Sequence, residues 1–374
     1  MKSSLRALLG RFVLAAFCLG CLAGPALAQD TIILGVAGAH SGDLASYGLP
    51  TLNAAKLVAD KYNAQGGVLG KKIVVVAQDD QCKPEMATNA ATKLVSDKAD
   101  VILGHICSGA TKAAMGIYRD AKKVCMSPSA TNPPLTQSGE YPNFFRTIAP
   151  DNDQAKVAVD FIIDKLGAKK IAIIHDKGDY GKGFATFVQD YLTGKGEVVL
   201  FEGVTPGAVD YSAVVQKVGR SKPDCVVFGG YHPEASKIVG TMRKKNMDTP
   251  FLSDDGVKDD TFIKVAGPDA EGVYATGPKD ISSNPLYKVA RDEHQAAFGS
   301  EPGAFFDQAY TAALALLNAI EKSGGTDYDK LVTALRTEYV DTPIGKIKFD
   351  DKGDAEGAGF SVYQVQNGVY KELN

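Results

Sequence analysis

The chain is 374 residues long, 45% hydrophobic and 23% charged, with a formal net charge of −3. That length suits two domains of ordinary size. The even mix of charges, with no basic block, speaks against nucleic acid as a partner.

The N-terminus opens with Lys2, Arg6 and Arg11, runs apolar from Phe12 to Leu22, and leaves through Ala26-Leu27-Ala28 before Gln29. This is the pattern of a cleaved secretory signal, residues 1–28. A transmembrane helix needs about 20 apolar residues, whereas this run is shorter and ends in Gly24-Pro25. A lipid anchor on Cys21 is the rival reading, and Cys18-Leu19-Gly20 before it matches a lipoprotein signal poorly. No later stretch is long and apolar enough to span a bilayer, so the expected product is soluble and outside the cytoplasm.

From there short β-branched runs alternate with helical patterns. Strands are expected at Ile32 to Val36, Ile73 to Ala77, Val101 to Leu103, Ile171 to Ile174, Val198 to Phe201 and Val226 to Phe228. Between them lie amphipathic stretches such as Leu52, Ala55, Val58, Ala59, Tyr62 and Phe184, Phe187, Val188, Tyr191. The alternation predicts an α/β protein with parallel sheets covered by helices, and strands apolar throughout fit sheets buried on both faces. One block runs from Gln29 to about Ala149 and a second to about Gly277-Pro278. The remainder reads as mostly helical, from Pro285 to Phe298, Gly303 to Lys322 and Tyr328 to Tyr339. It lacks the strands for a third α/β domain, so it must pack on the first two, which makes the domains discontinuous.

Four cysteines survive removal of the leader: Cys82, Cys107, Cys125 and Cys225. Cys82 and Cys107 both lie just past expected strand ends and are paired on that ground in an oxidising compartment. Cys125 and Cys225 sit inside apolar strands and read as core residues. A zinc site would want paired CxxC spacings, which the processed chain lacks, and no metal or cofactor is expected.

Ligands of open parallel sheets bind outside the carboxyl ends of the strands. The turns there hold His40, Ser41, Gly42 and Tyr47; Ser108; and Ser127-Pro128-Ser129-Ala130-Thr131-Asn132-Pro133 in the first block. In the second they hold Asp176 to Gly183, Gly229-Gly230-Tyr231-His232 and Ser253-Asp254-Asp255-Gly256. The segment Leu103 to Thr111 carries a strand into a hydroxyl-rich turn that opens a helix, a geometry that binds small anions, with Ser108 as the first hydroxyl donor. Ser108, Ser129 and Thr131 are also ordinary capping residues, and Tyr47, Tyr180 and Tyr231 could simply anchor turns. Of the adjacent Asp254 and Asp255, one is expected to point into a cleft and the other to cap the following segment. One block thus suits an anion and the other a cation with an apolar body, which together fit a zwitterion.

Enzyme signatures are weaker. Gly181-Lys182-Gly183 opens a helix, but position 186 is Thr where a dinucleotide fingerprint wants a third glycine. There is no phosphate-binding loop, nucleophile elbow or His-Glu-x-x-His. The five histidines are scattered. An acid/base pair of Asp176 and Asp255 facing one cleft would look the same in sequence.

In order along the chain, Ser46-Tyr47-Gly48, Tyr62 to Val68, Asp79-Asp80-Gln81-Cys82, Gly104 to Ser108, Ser127 to Pro133, Ile173 to Lys177 with Tyr180-Gly181, and Gly229-Gly230-Tyr231 with Pro233-Glu234 form one pattern. It resembles the leucine/isoleucine/valine-binding proteins of bacterial ABC importers. The resemblance implies a type I periplasmic binding fold: two Rossmann-like lobes joined by three crossovers, 29–149 plus 279–357 forming one and 150–278 plus 358–374 the other. It implies that Ser108, Ser129, Ala130 and Thr131 hold an α-carboxylate, that Tyr47, Tyr180 and Tyr231 line the pocket, and that Asp255 with Gly256 meets the ammonium. A Cys82–Cys107 bridge is also a feature of the resembled group. Two positions depart from it: Asp255, where glutamate is usual, and His232, where a second tyrosine is common. The expected function is a monomeric periplasmic receptor that hands an aliphatic, branched-chain type amino acid to ABC permease subunits and performs no catalysis. The alternatives are a sensory ligand-binding protein, a receptor for another amino acid, amide or small aromatic acid, and a secreted enzyme on the same fold.

Overall fold

A computed structural model of the protein describes residues 31–373; the leader expected over 1–28, and Cys21 within it, lie outside the described residues. The first block contains β1 (Thr31–Gly38), α1 (Ala45–Ala64), β2 (Lys72–Asp79), α2 (Pro84–Ser96), β3 (Val101–Leu103) and α3 (Ser108–Asp120). It closes with β4 (Val124–Ser127), α4 (Pro134–Gln137) and β5 (Phe144–Arg146). Its strands form a parallel five-stranded sheet in the order β2-β1-β3-β4-β5. The second block runs through α5 (Asp151–Asp160), β6 (Lys170–His175), α6 (Asp179–Leu192), β7 (Glu197–Gly203) and α7 (Ser212–Ser221). It continues with β8 (Cys225–Gly229), α8 (His232–Lys244), β9 (Phe251–Ser253), α9 (Asp260–Ala266) and β10 (Tyr274–Pro278). The rest comprises α10 (Pro285–Phe298), α11 (Phe306–Ser323), α12 (Tyr328–Thr337), β11 (Val340–Thr342), β12 (Gly345–Ile347), β13 (Phe360–Gln366) and β14 (Val369–Leu373).

Each sheet is filled on both faces, which is why its strands carry apolar residues at successive positions. Side chains of a strand alternate between faces, and β6 shows it directly. Ile171 and Ile173 pack with α5 and α6 residues such as Val159 and Phe184, while Ala172 and Ile174 pack with α7 and α8 residues such as Val215 and Ile238. In the first sheet Leu34 and Val36 face a core shared with α1 and α11, and Ile102 and Cys125 face α2 and α3 residues such as Leu94 and Met115. The alanines of α11 are buried against α1 and the first sheet, so the helices of the remainder pack on the first block.

The structure corrects the reading of that remainder. It carries four strands besides its helices: β11 and β12 form a two-stranded sheet, while β13 and β14 extend the second sheet to β14-β13-β10-β9-β8-β6-β7. β13 runs antiparallel to β10, and β14 antiparallel to β13, so this sheet is mixed rather than wholly parallel. These strands lacked the all-apolar signature because they are half-exposed: Phe360 to Gln366 alternates apolar with polar residues, and Val369 to Leu373 is an edge. The chain passes between the sheets three times, after β5, after β10 and before β13. Among the described residues no helix is long and apolar enough to cross a membrane.

Candidate functional site

The carboxyl ends of both sheets face one another through their turns. A small cavity lies there, lined by Tyr47, Ile106, Cys107 and Ser129 from the first sheet, Tyr180, Tyr231, Asp255 and Gly256 from the second, and Phe305. Phe305, just before α11, has a left-handed backbone (φ 61°), and its ring centroid lies 5.8 Å from that of Tyr47.

The first-sheet wall is internally bonded. Cys82 and Cys107 form a disulfide with a Cα–Cα distance of 5.4 Å, tying the loop after β2 to the start of α3; closing that loop is worth about 3 to 4 kcal/mol on the chain-entropy model. Cys125 and Cys225 are buried free thiols, as expected. Cys107 is the N-cap of α3 and provides no side-chain cap, so the first-turn amides keep the anion-binding character read from the sequence. Ser108 is buried and its Oγ accepts the Asn132 N–H (3.3 Å), while Ser129 Oγ donates to Ile106 O (2.9 Å). Ala130 donates its N–H to Ser127 Oγ (2.9 Å), and its carbonyl accepts from Arg146 (3.2 Å). Thr131 is buried, and its hydroxyl has no hydrogen-bond partner among the described residues. Ser129 thus stands on the wall; Ser108, Ala130 and Thr131 stand outside the lining set, and the Ala130 backbone groups are already engaged.

The second-sheet wall is aromatic and acidic. Tyr180 O–H donates to Asp255 Oδ1 and accepts the Gly256 N–H (2.8 Å), and its ring lies 5.1 Å from that of Tyr231. Gly256 must be glycine: a Cβ there would lie 2.5 Å from Gly230 O and 2.9 Å from the Tyr180 ring. Asp255 Oδ1 also accepts from Gln154 (3.0 Å), whereas its Oδ2 has no partner among the described residues. Burial raises the Asp255 carboxyl to about 6, opposed by the Tyr180 and Gln154 hydrogen bonds. Asp254 departs from its expected role: Oδ2 accepts the Gly230 N–H (2.8 Å), and Asp259, not Asp254, caps the next helix. Burial, then the neighbouring Asp255, lift the Asp254 carboxyl well above the usual range.

The two walls touch. Tyr47 O–H donates to Gly256 O (2.5 Å), which leaves its oxygen to accept from His232 Nδ1 (2.7 Å). Ser46 Oγ donates to Asp259 (2.5 Å), Asn132 Nδ2 to Asp179 O (2.7 Å), and Lys112 pairs with Asp179 (2.8 Å). Arg146 is fully buried and holds the β4 turn through Ala130 O, Asn132 O and Thr136, with Asp354 as its counter-ion (2.5 Å). His105, between Asp80 (2.5 Å) and Tyr118 (3.0 Å), is a buried structural group.

Sequence reasoning missed Ile106, Phe305, Gln154 and Asp151. Phe305 lies far from any parallel strand end, although Phe305-Phe306 after Gly303 was a visible aromatic pair. Asp151 and Gln154 open α5 one turn apart, on the crossover itself, where helix start signals and ligand chemistry look alike.

A family model described as periplasmic binding protein matches residues 31–369. The leucine-, isoleucine-, valine-, threonine-, and alanine-binding protein of Pseudomonas aeruginosa is 36% identical, the match covering 94% of this chain and 94% of that protein. The Leu/Ile/Val-binding protein of Escherichia coli is 37% identical over 92% and 94%. Among solved structures, the branched-chain amino acid transporter substrate binding protein of Streptococcus pneumoniae in complex with isoleucine superposes with a TM-score of 0.82 at 28% identity. That match covers 92% of this chain and 100% of the other. A leucine-binding protein from Thermotoga maritima gives 0.85 at 25% identity, over 92% and 98%.

Proposed function

The chain belongs to the periplasmic binding protein family, and on that premise we propose that it binds an aliphatic amino acid, branched-chain in type, between its two sheets and delivers it to the membrane subunits of an ABC importer. It is a periplasmic solute-binding protein. One observation carries the choice of an amino acid: the free Oδ2 of Asp255 shares a largely aromatic cavity with Cys107, the residue that leads into α3 without capping it. A carboxylate at one end and an ammonium at the other would then meet fixed dipoles and one acidic side chain, with the apolar body against the tyrosines and Phe305.

In this reading the α-carboxylate lies at the α3 start near Ser108, Ser129, Ala130 and Thr131, with Tyr47, Tyr180 and Tyr231 around the side chain and Asp255 with Gly256 at the ammonium. The lobes are 29–149 plus 279–357 and 150–278 plus 358–374. A solute touching both walls favours their contact, because it binds the closed arrangement better than the open one. The protein acts as a monomer and releases its solute unchanged.

Calorimetric titration of unfolded and refolded, ligand-free protein with leucine, isoleucine, valine, alanine and phenylalanine tests this. Binding at micromolar or tighter levels, about 8 kcal/mol or more, is expected for the branched set. No heat with any of the five rejects it.

A further inference from the structure

A second cavity, of about 440 Å3, shares Phe305 with the first, and its size is ordinary for a small-molecule site. It too is walled from both blocks. Lys258, in the loop after β9, and Tyr363 on β13 come from the half built on the second sheet. Tyr287 and Arg291 on α10 and Asp307 on α11 come from the helices packed on the first. None of these five lines the first cavity.

Lys258 reaches the cavity across Gly277, where a Cβ would lie 2.2 Å from the lysine Cδ. Its ammonium sits over the Tyr363 ring, 4.4 Å from the centroid, and makes no hydrogen bond or ion pair among the described residues. A ring face offsets only part of the hydration that an ammonium loses. Burial accordingly lowers the Lys258 pKa, helped by Arg291 and opposed by Asp260, Asp307 and Asp280. On the other side Arg291 lies 4.6 Å from the Tyr287 ring centroid and donates to Asp307 Oδ2 (2.9 Å). Asp307 is buried, and its Oδ1 has no partner among the described residues. Lys258 and Asp307 feel one another's charge yet form no ion pair. The other carboxylates of the lining are already bonded, Asp259 to Ser46 and Asp280 to Ser282, or exposed, as Asp260 and Glu372 are.

An unmet donor and an unmet acceptor thus belong to one cavity, between aromatic walls. One water bridges such a pair, but it occupies only about 30 Å3 and gives the rings nothing to pack on. A carboxylate for Lys258, an ammonium for Asp307 and an apolar body for the rings meet all three demands. We propose that this cavity is a second solute site, which holds one α-amino acid with its carboxylate at Lys258, its ammonium at Asp307 and its side chain among Tyr287, Phe305 and Tyr363. The inference takes its ligand class from the amino-acid reading above but shares no polar contact with the first cavity, so the two fail separately.

Equilibrium dialysis of refolded, ligand-free protein against radiolabelled leucine, from submicromolar to millimolar free concentration, counts the equivalents bound. Wild type is expected to take one tight equivalent and a second, weaker one. Lys258→Met keeps the stem over Gly277 and should weaken the second equivalent at least tenfold while holding the first within about threefold. Asp255→Ala should weaken the first and spare the second, and in that variant unlabelled 4-methylpentanoate should compete for the second at least tenfold less well than unlabelled leucine. Should Lys258→Met fail to melt cooperatively, Asp307→Asn decides by the same count. A single tight equivalent in wild type, a second that Lys258→Met leaves in place, or equal competition by the amine-free acid overturns the proposal and leaves the reading of the first cavity standing. A weak, Lys258-dependent equivalent with no tight one keeps this proposal and removes that reading; no binding at all removes both.

Discussion

The two walls of the cavity differ in how their polar atoms are used. On the first-sheet side Ser108, Ser127, Ser129 and Ala130 are bonded to neighbouring turns, and Arg146 clamps the β4 loop. On the second-sheet side Asp255 keeps a free oxygen, and Asp254 and Asp255 are held above the ordinary carboxylate range by burial. The first wall is a largely bonded scaffold that presents dipoles; the second holds buried carboxyls that lean toward their protonated form until a cation lies beside them. Recognition and stability are thereby separated between them, and substitutions can break each in turn.

The largest expected effect is on the bonded wall. Arg146→Met strips a fully buried cation from Asp354 and from two turn carbonyls, and should cost about 3 to 5 kcal/mol of stability, read as a lowered urea midpoint. Next comes a pH effect on the other side. Burial raises the Asp176 carboxyl to about 7, so the folded protein holds that proton more tightly than the unfolded chain. The resulting stabilisation is full below about pH 4 and is lost as pH rises through about 7. Asp176→Asn should therefore match wild type at pH 4 and exceed it at pH 8 by up to about 4 kcal/mol, measured by denaturation at both values; a constant difference across pH would refute the assignment.

Asp255→Ala should weaken leucine binding by roughly 100-fold, about 3 kcal/mol, the cost of an ammonium without its charged partner, and, because Tyr180 and Gln154 lose their buried acceptor, should lower stability by about 1 to 3 kcal/mol. A lost melt with unchanged affinity would reverse the assignment of roles between the walls. Ser129→Ala is the mildest: it removes one hydrogen bond to Ile106 O and should cost about 1 kcal/mol of stability, with affinity falling only a few-fold.

Much of this was legible in the sequence. The strands β1, β2, β3, β6, β7 and β8, the α5 start after Pro150, α10, and the Cys82–Cys107 pair follow from apolar runs, Pro/Asp boundaries and strand-end position. What escaped was whatever lacked a continuous apolar run. β5 is three residues long and ends in the buried Arg146, and β13 and β14 alternate like surface strands because one of their sides meets solvent. Ser129, Tyr47, Tyr180, Tyr231, Asp255 and Gly256, read from the sequence as candidates, line the cavity because turns after parallel strands converge. Phe305 escaped because its place is set by α11 docking on the first sheet, a contact between residues far apart in the chain that no local pattern announces. Asp254 was assigned a local cap, yet it bonds across to Gly230, a partner chosen by the packing of β9 beside β8.

The attachment of β13 and β14 to β10 bears on how the molecule is made. Export delivers a polypeptide from its N-terminus, so the second sheet must wait with β10 as an open edge until residues 360–373 arrive. An unpaired edge invites other chains. A product cut short before residue 360 would therefore be both sticky and unfinished, a ready target for proteolysis. The late strands act as a certificate of full-length synthesis that the chain issues to itself.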